Sequence, residues 1–115
     1  MKSKIIHYVA YNDDYGGFGV SRKCAQFMAD RGCEDAQEML SLSDEDEIWV
    51  GHLSGYPRHD PLLILAIKEL GLEAASAQGS RLAIHKLRGN KYYIDEYDGA
   101  ESVVEPHSMQ WVEIK

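Results

Sequence analysis

The segment 61–70, Pro-Leu-Leu-Ile-Leu-Ala-Ile-Lys-Glu-Leu, is the strongest constraint on the fold of this chain. Asp60 before it offers a capping carboxylate, and Pro61 fits the first helical position, where its missing N–H is no loss. Gly71 followed by Leu72 reads as the C-terminal cap with its hydrophobic contact. Only Lys68 and Glu69 in the segment are clearly polar. A helix apolar nearly all round has to be covered on more than one side, so the rest of the chain must wrap it. A chain of 115 residues has room for one such core. At that length folding buries roughly 65% of the surface of the unfolded chain. With 44% apolar and 27% charged residues the composition is that of a folded domain.

Around this helix the pattern alternates between both kinds of element. Residues 5–11 carry apolar or aromatic groups on both faces, as a strand inside a sheet does. After a polar turn and a glycine-rich loop, Ser21 is placed to cap a helix over 22–31 with Cys24, Phe27 and Met28 as its buried stripe. Gly32 supplies the left-handed residue that ends it. A short helix over 34–40 follows. The acidic run Asp44-Glu45-Asp46-Glu47 fits a solvated helix start behind Ser43, and Ile48-Trp49-Val50 reads equally as a short strand or as the end of that helix. Residues 73–80 form a loop or a short turn of helix. The segments 81–87, 91–97 and 109–115 are rich in β-branched and aromatic residues. Arg88-Gly89-Asn90 fits a tight hairpin between the first two, Asp98-Gly99 is a turn signal, and Pro106 separates Ser102-Val103-Val104 from the last strand. The expected architecture is a single α+β domain over 1–115. Its sheet is mixed or antiparallel with four to five strands, and two main helices pack on one face.

Charge narrows the choice of partners. The net charge is −7, and the twelve lysines and arginines never form a run. Binding to nucleic-acid backbones needs clustered cations, so no direct DNA or RNA binding is expected. An acidic chain suits a basic partner. Cys24 and Cys33 have no CxxC spacing and read as small buried hydrophobes of a reducing compartment. No apolar run approaches the ~20 residues of a membrane span, and Met1-Lys2-Ser3-Lys4 is unlike a signal peptide. A cytoplasmic location is expected.

Three constellations can carry function. Tyr15-Gly16-Gly17-Phe18-Gly19 lies between a strand and a helix start, where backbone N–H groups can hold an anion. Neither GxxxxGK[ST] nor GxGxxG fits, Asp13 and Asp14 repel phosphate, and a loop that needs glycine for φ > 0 is the simpler reading. Phe18, if exposed, is a contact residue. Tyr56-Pro57-Arg58-His59-Asp60 precedes the long helix: Asp60 is first a cap, and Arg58 and His59 can bind a carboxylate or phosphate, or Arg58 can pair with a nearby acid. Asp95-Glu96-Tyr97-Asp98-Gly99-Ala100-Glu101 places carboxylates around a turn, with a solvated turn weighed above a hard-cation site. The histidines show neither HxxxH nor HExxH spacing and GxSxG is absent. Nucleophilic catalysis is not expected, and no metal or cofactor is implied.

Tyr15-Gly-Gly-Phe-Gly-Val-Ser21, Arg58-His-Asp-Pro61 with Glu69-Leu-Gly71, and Tyr93-Ile-Asp-Glu-Tyr-Asp-Gly99 with Glu101 and Val103 form a set. In this order they resemble a family of small uncharacterised proteins encoded by tailed bacteriophages, prophages and some large DNA viruses. The acidic stretch 34–49 and the loop 73–80 depart from that pattern. The resemblance brings no activity or site residues. It implies context: a small accessory factor that acts in the host cytoplasm by binding a host component, counter-defence and CRISPR inhibition included.

Three functions follow as expectations. The first is a host-protein binding module using its acidic surface and the aromatics Tyr15, Phe18 and Tyr56. The second is a small-molecule site for a nucleotide or signal molecule, formed where the glycine-rich loop of Tyr15, Gly16, Gly17 and Phe18 meets Arg58-His59 and the Asp95–Asp98 turn. The third is an enzyme with His59 as acid/base, oriented by Asp60 or Asp98. Homo-oligomerisation through the last strand, 110–115, is a further possibility.

Overall fold

The structure, a computed structural model, describes residues 6–15, 17–42, 47–48, 57–77, 79–108 and 114. Along the chain run β1 (Tyr8–Asn12), β2 (Val20–Ser21), α1 (Arg22–Asp30), α2 (Glu34–Leu42), β3 (Glu47–Ile48), α3 (Pro61–Leu70), α4 (Leu72–Ala75), β4 (Leu82–Lys86), β5 (Tyr93–Tyr97) and β6 (Ala100–Val104). A 3₁₀ turn, Pro106–Ser108, follows β6. The fold is α+β. Residues 43–46 and 49–56, with most of the acidic run, Tyr56 and Trp49-Val50, lie outside the described residues, as do Gly16 and all of 109–115 except Ile114.

The helices form where their signals stand. The Ser21 hydroxyl accepts from the Cys24 N–H at 3.2 Å, and Gly32 leaves α1 at φ +93°. Asp60 Oδ1 accepts from the Leu62 N–H at 3.2 Å, with Pro61 at the first position of α3. Leu63, Ile64, Ala66 and Ile67 of α3 are buried, in one cluster with Cys24, Ala25 and Met28 of α1. The cover over α3 is incomplete, since Leu65 is 43% exposed. The segment after Gly71 contains the one-turn helix α4.

The sheet differs from the expectation. Among the described residues the strands form three antiparallel two-stranded ladders, β1–β4, β2–β3 and β5–β6, and not one sheet of four to five strands. The reason lies on the open edge of β1. Where a further strand would bond, the Ala10 N–H donates to the Arg58 carbonyl at 2.8 Å and the Asn12 N–H to Glu101 Oε1 at 2.9 Å. A turn and a carboxylate satisfy the edge that a strand would otherwise fill.

The C-terminal hairpin also sits elsewhere than expected. Arg88-Gly89-Asn90 does not join paired strands. Instead β4 pairs with β1, and β5 pairs with β6 across Tyr97↔Ala100. Asp98 and Gly99 both have positive φ, 52° and 89°. That is the backbone of the two-residue Asp-Gly turn, whose twist matches that of the strands it joins.

Candidate functional site

The three singled-out segments do converge, and Arg58 is the reason. Its guanidinium grips Glu101 on β6 with two bonds, Nη1 to Oε1 at 2.6 Å and Nη2 to Oε2 at 2.9 Å. The same group lies over the Phe18 ring at 3.7 Å. Charge-assisted paired bonds and a guanidinium stacked on an aromatic face are strong and geometrically specific. Loop, turn and hairpin are thereby locked together. Glu101 is 6% exposed and Arg58 19%, so the pair is largely withdrawn from water.

Asn12, fully buried, completes the lock. Its Nδ2 donates to the Gly99 carbonyl at 2.9 Å and to the Asp14 carbonyl, while its Oδ1 accepts from the Arg81 N–H at 2.8 Å. Ser80 Oγ donates to the Gly17 carbonyl at 2.6 Å. Gly99 presses against the glycine loop so closely that a Cβ built on it would lie 2.2 Å from the Tyr15 carbonyl oxygen and 2.9 Å from the Gly17 nitrogen. Glu101 stands in the sequence only as one of several carboxylates around a turn, and Asn12 does not stand out as a site residue. The available signal was an asparagine closing an apolar strand, since a buried amide needs all its bonds met.

This arrangement decides what each candidate can do. Phe18 is 5% exposed. It is the floor under Arg58 and not an exposed contact residue. Arg58 is engaged by Glu101 and by Phe18, which leaves little of its charge for a phosphate. Asp60 caps α3. His59 is exposed, and its Nδ1 meets the Tyr92 hydroxyl at 2.7 Å, with the rings edge to face at 5.7 Å. Burial pushes the Tyr92 hydroxyl pKa up, against the opposing pull of the Arg58 charge. The expected orientation of His59 by Asp60 or Asp98 is therefore replaced by a tyrosine partner. Among the described residues no carboxylate lines the groove of about 380 Å³ beside His59, where Tyr8, Ile64 and Leu65 form the wall.

No family model, curated protein or solved structure matches this chain.

What remains open to solvent is the outer side of the lock. Tyr15 is 66% and Tyr97 78% exposed, and Asp13, Asp14 and Asp98 are exposed beside them. The Tyr15 backbone touches Gly99, so the segments that carry both tyrosines and the three aspartates meet at one place. A cleft of about 730 Å³ adjoins it, lined by Asp13, Asp14 and Glu73 with Leu72, Ala77 and Leu82. Among the described residues that line it, Arg81 offsets these acids through an exposed pair with Asp13 at 3.3 Å, and such pairs hold little energy.

Nucleophilic chemistry finds no support at the helix start of α1. Cys24 is fully buried, and burial pushes its thiol up to about 12, so it holds no thiolate at neutral pH. Among the described residues no group of three or more His, Cys, Asp or Glu gathers as for a metal ion. No helix among them is long and apolar enough to cross a membrane.

Proposed function

We propose that this chain is a binding module of the phage-accessory kind, which acts by contact with a basic surface of a host protein belonging to a defence complex. One observation carries this reading. Residues 13–15 and the turn 97–99 are fixed against each other from beneath by Asn12, Arg58 and Glu101. They present two exposed tyrosines and three exposed aspartates at one place. Tyrosine gives a large contact area at a low cost in side-chain entropy. Aspartates on a rigid base select a cationic partner without reorganising. The adjoining acidic cleft, with its apolar floor, suits the stem and head of a lysine or arginine side chain.

The test pairs the wild type with Y15S/Y97S. Both residues are exposed, so the variant should melt with the wild type while losing a captured host protein. In a phage-restricting bacterium, the wild type should restore plaques and the variant should not. Equal capture and equal plaque counts for the two proteins would sink the proposal. Removing Phe18 is no test of the contact surface, because Phe18 is a core residue.

The alternative of a sequestered small ligand keeps one point in its favour, the convergence of the three segments. It loses the cation it depended on, since Arg58 is paired with Glu101.

A further inference from the structure

A second group of functional side chains gathers at the opposite end of the β5–β6 hairpin, roughly 13 Å from its turn at the usual rise per residue. There Arg88, Lys91 and His107 line a cleft of about 290 Å³ together with the Glu105 carboxylate, Gly89, Asn90 and Pro106. In a chain of net charge −7 this meeting of cationic groups from separate segments requires an organiser, and Glu105 provides it. Its side chain is 5% exposed. Its Oε1 accepts the Arg88 N–H at 2.8 Å, its Oε2 bonds His85 Nε2 at 2.7 Å, and His107 Nδ1 lies 3.9 Å away. The carboxylate thus draws the 88–91 loop and the 106–108 turn together while its own charge is occupied. Among the described residues no carboxylate pairs with the side chains of Arg88 or Lys91, and the N–H groups of Gly89, Asn90 and Lys91 find no acceptor.

We infer that the Arg88–Lys91–His107 cleft is a binding site for a small phosphorylated ligand, a phosphate monoester with a compact organic part. Arginine meets phosphate oxygens with two bonds, lysine adds a point charge, and a histidine and open N–H groups can donate at the rim. The volume lies just below the usual range for ligand pockets, which holds a phosphate and a few further atoms but no dinucleotide. The acidic end of the hairpin does not cancel the site, because at physiological salt charges beyond about 8 Å are largely screened. This site lies apart from the tyrosine end and stands whether or not that end binds a protein.

The test is an amide NMR titration of the full chain with inorganic phosphate, with acetate at matched ionic strength as the control. Saturable shifts confined to residues 85–91 and 105–107, half complete at millimolar phosphate, are expected. R88Q/K91Q should weaken them at least tenfold while the spectrum stays folded. Glycerol phosphate should bind as tightly as phosphate or more tightly. The inference is overturned by linear shifts without saturation, by equal binding of acetate, or by an R88Q/K91Q variant that binds like the wild type.

Discussion

Glu101 joins three parts of this molecule. It neutralises Arg58, closes the open edge of β1 and joins the hairpin to the core. Breaking a largely buried ion pair from one side leaves the other charge without its partner. Glu101→Gln should therefore cost about 3 kcal/mol, the lower end for such pairs because Arg58 retains some exposure. Removing both charges with Arg58→Met and Glu101→Gln should cost less than the sum of the single changes. Urea midpoints of the four proteins measure this, and additive losses would refute the lock. Glu105 makes a different prediction. The His85 ring and then the Arg88 N–H, both hydrogen-bonded to its carboxylate, hold its pKa below the ordinary 4.5. A carboxyl depressed in the folded state stabilises fully above its unfolded pKa, and that contribution fades as pH falls through the lower folded value. Glu105→Gln should thus flatten the loss of stability below about pH 4.5. Urea midpoints between pH 3 and 6 that fall equally in both proteins would contradict it.

At the scale of elements, the hairpin turn and the glycine loop are one unit. Gly99 has φ +89°, a region that costs an L-residue roughly 1–2 kcal/mol, and its missing side chain leaves room for the Tyr15 carbonyl. Gly99→Ala has to strain the turn and also push the loop away. It should destabilise the chain by more than about 2 kcal/mol, whereas Gly89→Ala, in open space, should be nearly neutral. Thermal melts of the two variants decide this. The same elements show what was legible in the sequence. Helices α1 and α3 could be placed from Ser21, Gly32, Asp60 and Pro61, because capping is a local interaction written in adjacent residues. Asp98-Gly99 could be read as a turn for the same reason. Which strands paired was not legible. Arg88-Gly89-Asn90 offered an equally good turn by composition, and the outcome depended on Glu105 holding the Arg88 N–H from 17 residues away. Likewise Phe18 between glycines looked free because Arg58 above it belongs to a distant segment. The convergence of the three segments was an expectation that the geometry meets. The identity of its centre, Asn12 with Glu101, depended on side-chain bonds spanning the chain.

For the whole molecule, the arrangement of charge matters more than its sum of −7. One end of the β5–β6 hairpin carries Asp98 beside Asp13 and Asp14, and the other carries Arg88 and Lys91. An acidic, rigid end raises the rate at which a basic partner arrives, and such steering can amount to a factor of 10 to about 10³ that salt removes. The dissociation rate depends on short-range contacts such as those of Tyr15 and Tyr97 and changes far less. Raising the salt from about 50 to about 500 mM should therefore slow association of the captured partner at least tenfold and leave dissociation within about twofold. Neutralising the near charges with Asp13→Asn, Asp14→Asn and Asp98→Asn should remove most of that salt dependence. Arg88→Gln with Lys91→Gln should not, because roughly 13 Å of hairpin exceeds the screening length of about 8 Å. Stopped-flow or surface-binding kinetics on these proteins give both rates. If the Arg88 and Lys91 changes altered the salt slope as much as the aspartate changes, the partner would be reading the overall charge, and the tyrosine end would lose its claim to be the contact surface.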